Sequence, residues 1–183
     1  MKKTAETERA DWIRSALLQY EGPLIRYVCR IVGDLDRARD VVQDTFLKLC
    51  AADREKVEDR LAAWLYTVAR NRALDVYKKE RRMSPTSDTA LEVFESALPS
   101  PADVAEREEA KSQVFLALEK LPPRQQEVLR LKFQENLSYK EIAEITGNTV
   151  SYVGVLLHTA LKSIRESLHK QPGLAEASGG HQS

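Results

Sequence analysis

The 183-residue chain has no net charge, because 28 Lys and Arg offset 28 Asp and Glu. It has only two cysteines, Cys29 and Cys50, with seven glycines and seven prolines. Each shortage excludes something. No apolar run is long enough to cross a bilayer, and the first ten residues are charged and lack the apolar stretch of a secretory signal. The cysteines are too far apart for a C-x-x-C pair and read as reduced thiols of a cytoplasmic protein. Sparse Gly and Pro exclude collagen-like and low-complexity classes, and an apolar fraction of 43% excludes a wholly disordered chain. There is no long stretch of period-two alternation. There is also no Gly-rich phosphate loop, no nucleophile elbow, and no metal-ligand spacing around His158, His169 or His181. No catalytic residue, cofactor or metal is therefore expected, and an enzyme is the weakest reading.

Zero net charge conceals an uneven distribution. Residues 1–82 carry 18 basic and 14 acidic side chains, residues 83–110 carry 1 and 7, and residues 111–183 carry 9 and 7. An acidic middle cancels two mildly basic ends, and such asymmetry is what bears on polyanion binding.

The rest of the sequence reads as helix. Ile13, Leu17 and Tyr20 form one stripe, which Gly22-Pro23 is expected to interrupt. Leu24, Ile25, Val28, Ile31 and Val32 form a second, closed by Gly33-Asp34. Val42, Thr45, Phe46 and Leu49 form a third. A fourth runs from Leu61 to about Arg82, some ~33 Å at the helical rise, and four such helices bury a core as a compact bundle. Ser84-Pro85, Pro99 and Ser100-Pro101 then mark an acidic linker that can shield basic surfaces, with Leu91, Val93, Phe94 and Leu98 as candidate docking points.

The second helical block begins with Val114, Leu118 and Leu121 and stops at Pro122-Pro123. Val128, Leu129, Leu131 and Phe133 carry the next helix. Ser138-Tyr139-Lys140-Glu141 has the pattern of a capping box. Ile142, Ala143 and Ile145 follow up to Gly147, and a last helix carries Val150, Val153, Leu157, Ala160, Ile164 and Leu168. Ala143 at a close crossing, Gly147 at a sharp turn, and Ile142, Val153 and Leu157 closing the corner describe a helix-turn-helix, whose second helix enters a DNA major groove.

Two stretches, Leu121-Pro-Pro-Arg-Gln-Gln-Glu-Val-Leu129 and Leu137-Ser-Tyr-Lys-Glu-Ile-Ala-Glu-Ile145, resemble region 4 of bacterial RNA polymerase sigma factors. Asp40-Val-Val-Gln-Asp-Thr-Phe-Leu-Lys-Leu49 resembles region 2.2, and Ala63-Trp-Leu-Tyr-Thr-Val-Ala-Arg-Asn-Arg-Ala-Leu-Asp75 resembles region 2.3 running into 2.4. Two such domains with only a linker between them resemble the extracytoplasmic-function (ECF) class of the sigma-70 family. The resemblance implies an all-α chain with region 2 at 8–82, a flexible acidic linker at 83–107, region 4 at 108–170 and a disordered tail at 171–183. It implies a cytoplasmic protein that directs promoter-specific initiation. The first domain would dock on the polymerase β′ coiled coil and melt the −10 element. The second would bind the −35 element and the β flap. An anti-sigma factor is an implied partner, and no membrane insertion is expected.

Asp40, Gln43, Asp44 and Leu47 share one helical face, and with Lys48 they are the expected polymerase contacts. Arg70, Arg72, Lys78, Lys79, Arg81 and Arg82 supply the clustered bases that phosphate neutralisation needs. Tyr66 and Tyr77 are candidate stacking faces, while Trp64 reads as core. The resemblance places Asn71 at the pocket for an extruded −10 base, and it places Ala52 to Arg60 at the −10 specificity loop. Arg37 and Arg39 stand where the family often has acid, which would weaken core binding or repel a competitor. Thr45 and Ser84 are candidate phosphorylation sites.

The second departure is in the reader. No Lys or Arg occurs from Glu141 to Leu161, so base reading would rest on Asn148, Ser151, Tyr152, Val155 and His158. Phosphate anchoring would fall to Arg124, Lys140, Lys162 and Arg165. This bareness motivates the alternative, a sigma-like interaction module that sequesters an anti-sigma factor through exposed Val155 and Leu156 without reading DNA.

Overall fold

The computed structural model describes residues 2–83 and 114–169, which are helical with no strand among them. The helices are α1 (Lys2–Val32), α2 (Leu35–Ala51), α3 (Arg54–Val57), a 3-10 turn (Glu58–Arg60) and α4 (Leu61–Met83), then α5 (residues 114–119), α6 (Pro123–Phe133), α7 (Tyr139–Thr146) and α8 (Val150–His169). The expected linker at 83–107 gives up Met83, which ends α4; the rest of it, with Ser84 and its apolar residues, and the tail at 171–183 lie outside the described residues.

The expected break at Gly22-Pro23 does not occur; α1 runs through it. Pro23 leaves the Gln19 carbonyl without its helical donor, at a cost of about 3 kcal/mol. Tertiary burial outweighs that cost. Ala16, Leu24, Val28 and Ile31 are all buried along one side of α1, and each large apolar side chain so buried returns about 1.5–3 kcal/mol. Gly33 then ends α1 in the left-handed region at φ +73°, its N–H donating to the Cys29 carbonyl. Asp34 caps α2 by accepting from the Arg37 N–H.

Helices α1, α2 and α4 pack on one another, and α6, α7 and α8 form a second cluster. The two clusters are joined directly, α4 against α7. The buried apolar residues of both form one continuous core.

In the second cluster Pro123 opens α6, and the buried Gln126 side chain donates to the Glu119 and Leu121 carbonyls, tying off the turn that precedes it. The capping box forms as expected: Ser138 Oγ accepts from the Glu141 N–H, and the Glu141 carboxylate accepts from the Ser138 N–H. Gly147 sits at φ +68°. Its N–H and that of Asn148 both donate to the Ala143 carbonyl, and this makes the corner. Thr149 Oγ1 accepts from the Tyr152 N–H at the start of α8. Val150 is exposed, contrary to expectation; the buried stripe of α8 begins at Val153.

Candidate nucleic-acid interface

On α2 the buried side consists of Ala38, Val41, Val42, Thr45, Phe46 and Leu49. The opposite side presents the expected docking face. Asp40, Gln43 and Lys48 are exposed, and Leu47 is 62% exposed although it is apolar. Asp44 is half-buried and accepts from Arg72 Nε at 3.0 Å. That ion pair joins an expected polymerase contact to an expected −10 contact. Thr45 is fully buried and its hydroxyl donates to the Val41 carbonyl, so no kinase reaches it in the folded chain. Arg37 pairs with Glu80, and Arg39 pairs with Asp36. The two bases therefore do not stand as free positive charge beside the docking face.

The −10 candidates occupy α4. Asn71, Lys78, Lys79, Arg81 and Arg82 are exposed, and Tyr77 is half-buried with the Arg81 guanidinium 5.8 Å from its ring centre. Tyr66 does not join them. It is fully buried, edge-on to Tyr27 with ring centres 5.2 Å apart, so it is a core residue rather than a stacking face. Burial, and then the charge of nearby Glu135, raise its hydroxyl far above the usual range, though the hydroxyl has no partner at hydrogen-bonding geometry. Trp64 packs partly buried against the core. The segment Ala52 to Arg60 is not an open loop: Asp53 caps α3, and the 3-10 turn leads directly into α4.

Arg70 departs most from the sequence reading. It is committed within the protein, with its Nε and Nη2 donating to Glu127 Oε1 and Oε2 at 2.8 and 3.3 Å. The Tyr27 hydroxyl donates to the same Oε1 at 2.7 Å. Glu127 belongs to α6, 57 residues from Arg70 and 100 from Tyr27. Sequence reasoning missed this network because no local pattern links such distant positions. Burial alone would lower the Arg70 pKa, but the bonds to Glu127 leave it raised.

On α8, Ser151, Val155, His158 and Lys162 fall at i, i+4, i+7 and i+11 and are all exposed, with Tyr152 beside them. Val155 is 59% exposed. Leu156, expected to share that surface, is buried, because it lies three residues from Val153 and four from Ala160 on the inward stripe. The protein-binding patch imagined for the alternative reading is reduced to Val155. Asn148 is half-buried, and its amide donates to Thr146 Oγ1 at 3.0 Å. Arg124 and Lys140 are exposed at the margins, and Lys162 lies 3.9 Å from Glu166.

Two family models match this arrangement: sigma-70 region 2 over residues 17–83 and sigma-70 region 4 over residues 111–164. The ECF RNA polymerase sigma factor EcfG of Rhodopseudomonas palustris is 30% identical over 160 residues, 87% of this chain and 86% of that protein. The chain belongs to the ECF class of the sigma-70 family. The RNA polymerase sigma factor YlaC of Bacillus subtilis is 29% identical over 162 residues, covering 87% of this chain and 94% of the relative. Among solved structures, the sigma factor RpoE of Bartonella quintana in complex with the anti-sigma factor NepR shares the fold. Its TM-score is 0.60 at 24% identity, over 85% of this chain and 96% of that one. This ECF factor acts in transcription initiation, binding RNA polymerase and promoter DNA. None of its described helices is long and apolar enough to cross a membrane.

Proposed function

We propose that this ECF factor divides promoter recognition between a charged reader on α4 and an almost uncharged reader on α8. The single observation behind this is the outward stripe of α8, which offers Ser151, Tyr152, Val155 and His158 without a cation until Lys162. Such a surface reads base edges by hydroxyl, ring and methyl contact; Val155 in particular suits a thymine methyl. Orientation on the duplex falls to Arg124, Lys140 and Lys162 at its margins, and Asn148 supports the turn as much as it reads. In region 2, Asn71, Arg72, Tyr77, Lys78, Lys79, Arg81 and Arg82 take the −10 strand. Asp40, Gln43, Asp44, Leu47 and Lys48 dock on the β′ coiled coil. The domain limits 8–82 and 108–170, action by binding rather than catalysis, and a cytoplasmic site of action belong to the same reading. So does inhibition by an anti-sigma factor, supported by the solved relative that was captured with one.

The test is binding of the full chain to −35 duplexes across a salt series, with Val155→Ala and Tyr152→Ala beside the parent. The reading expects a shallow salt slope, and loss of preference at one or two base positions in the variants. A slope as steep as that of a base-rich reader, or an unchanged preference in both variants, contradicts it.

A further inference from the structure

Helix α3 is a single turn, Arg54–Val57, and so short a helix does not hold itself together in water. Part of its support is local. Asp53 accepts from the Glu55 N–H, Lys56 lies 3.1 Å from Asp53, and Arg54 donates to the two oxygens of Glu58 at 3.0 and 2.6 Å. Val57 is buried and ties the turn to the core. The rest of the support comes from the first half of α1. Arg9 Nη2 donates to the carbonyls of Cys50 and Ala52 at 2.8 and 2.7 Å, which α2 leaves open at its end. Trp12 is partly buried against the core and has the Arg54 guanidinium 5.5 Å from its ring centre. Arg9 thus fixes the entry into the segment, and Trp12 fixes the first residue of α3. Both precede residues 17–83, which the region 2 model matches, so the family match gives them no role.

We propose that Arg9 and Trp12 are positioning residues for −10 base selection, holding the Asp53–Arg60 segment in the one conformation from which it reads a base. The proposal rests on the assignment of Ala52 to Arg60 to −10 specificity. Base discrimination needs donors and acceptors held within about 0.5 Å of a productive geometry by supporting side chains. A one-turn helix followed by a 3-10 turn meets that demand only when tied to a rigid element. Helix α1 is such an element, with Leu24, Val28 and Ile31 in the core. Arg54 is taken up twice, by Trp12 and by Glu58, which leaves Glu55, Lys56 and Asp59 as exposed groups of the segment. Arg9 is committed to two carbonyls, so it acts through the segment and not on a phosphate.

The experiment reconstitutes the full chain with bacterial core polymerase. It measures binding to a forked promoter oligonucleotide carrying each base in turn at every unpaired −10 position, across a salt series. The parent is expected to prefer one base at one position or more. Trp12→Leu and Arg9→Met are expected to lower that preference by about fivefold. Trp12→Phe keeps an aromatic face under Arg54 and restores most of it, and the salt slope stays unchanged in all three. Arg9 is half-buried, and Arg9→Met carries the test alone should Trp12→Leu fail to fold. Equal weakening for every base, with the preference intact, makes the contacts merely structural and overturns the proposal. A slope lowered by about one in Arg9→Met makes Arg9 a phosphate contact and overturns it too. Glu55→Ala combined with Lys56→Ala separates the two levels. A preference altered by this pair but not by the α1 variants overturns the positioning role alone. No preference in the parent, or one altered by neither set, overturns the assignment of the segment and the proposal with it.

Discussion

The two readers of this ECF factor handle charge in opposite ways. On and around α4, cations are abundant and many are already paired: Arg70 with Glu127, Arg72 with Asp44, Arg60 with Glu144. Along the outward stripe of α8 there is no cation from Ser151 to His158, and the surface is open. A count of bases along the chain would rank the first reader as ready and the second as deficient. In the structure Arg60, Arg70 and Arg72 are already paired, while Lys78, Lys79, Arg81 and Arg82 and the outward stripe of α8 are exposed. Clustered charge in a sequence therefore measures capacity for phosphate binding, and only the fold shows how much of it is available.

The comparison is broken most forcefully at Arg70. Arg70→Met removes one partner of a buried pair and leaves the Glu127 carboxylate uncompensated, which costs about 3 kcal/mol or more. Urea denaturation should show that loss, and should show much less for Arg72→Met, whose pair with Asp44 is close to half-exposed on both sides. Equal losses would mean that the Glu127 pair is no more than a surface contact.

Docking is the next largest effect. Leu47→Asp should weaken binding to core polymerase by about tenfold or more while leaving the melting temperature unchanged, because the side chain is 62% exposed in the free chain. Calorimetry with core polymerase and a thermal scan check both halves.

Alkali tests the seam in another way. Burial, and then the Glu127 carboxylate, hold the Tyr27 hydroxyl well above its ordinary value of 10.0, and burial raises Tyr66 likewise. The folded chain therefore keeps these protons more tightly than the unfolded chain. The stability they confer is complete below about pH 10 and declines as the pH rises above it. Denaturation midpoints in a rising pH series should fall for the parent and fall less steeply for Tyr27→Phe.

The smaller effects sharpen the α8 side. Lys140→Ala and Lys162→Ala should each lower the salt slope of −35 binding by about one, since each is proposed to release one phosphate contact. Gly154→Ala should stabilise the fold by up to about 1 kcal/mol, because an added Cβ meets only Tyr139 at 3.8 Å, an ordinary contact. A destabilised Gly154→Ala would mean that α8 needs the flexibility of glycine there.

Much of this was legible from residues alone, for local reasons. The capping box at Ser138, the left-handed turn at Gly147 and the outward spacing of Ser151, Val155 and His158 are all set within a few residues. What the sequence misread was decided by distant contacts. Pro23 looked like a helix end because the penalty is local and the compensating burial of Leu24, Val28 and Ile31 is not. Tyr66 looked like a stacking ring because nothing nearby in sequence announces Tyr27 against it. Leu156 looked like a neighbour of Val155, although one helical step turns a side chain by about 100° and carries it to the core side. Glu127, within a motif read for family resemblance, gave no sign that it would bind Arg70.

The account stands or falls most directly on run-off transcription with bacterial core polymerase and a genomic promoter library, with and without this protein. It predicts discrete new start sites that appear only with the protein and vanish with Leu47→Asp. Their aligned upstream sequences should share a −35 element whose preference shifts in Val155→Ala. Core polymerase that is shown to be active but initiates at no new site with the protein present would contradict it.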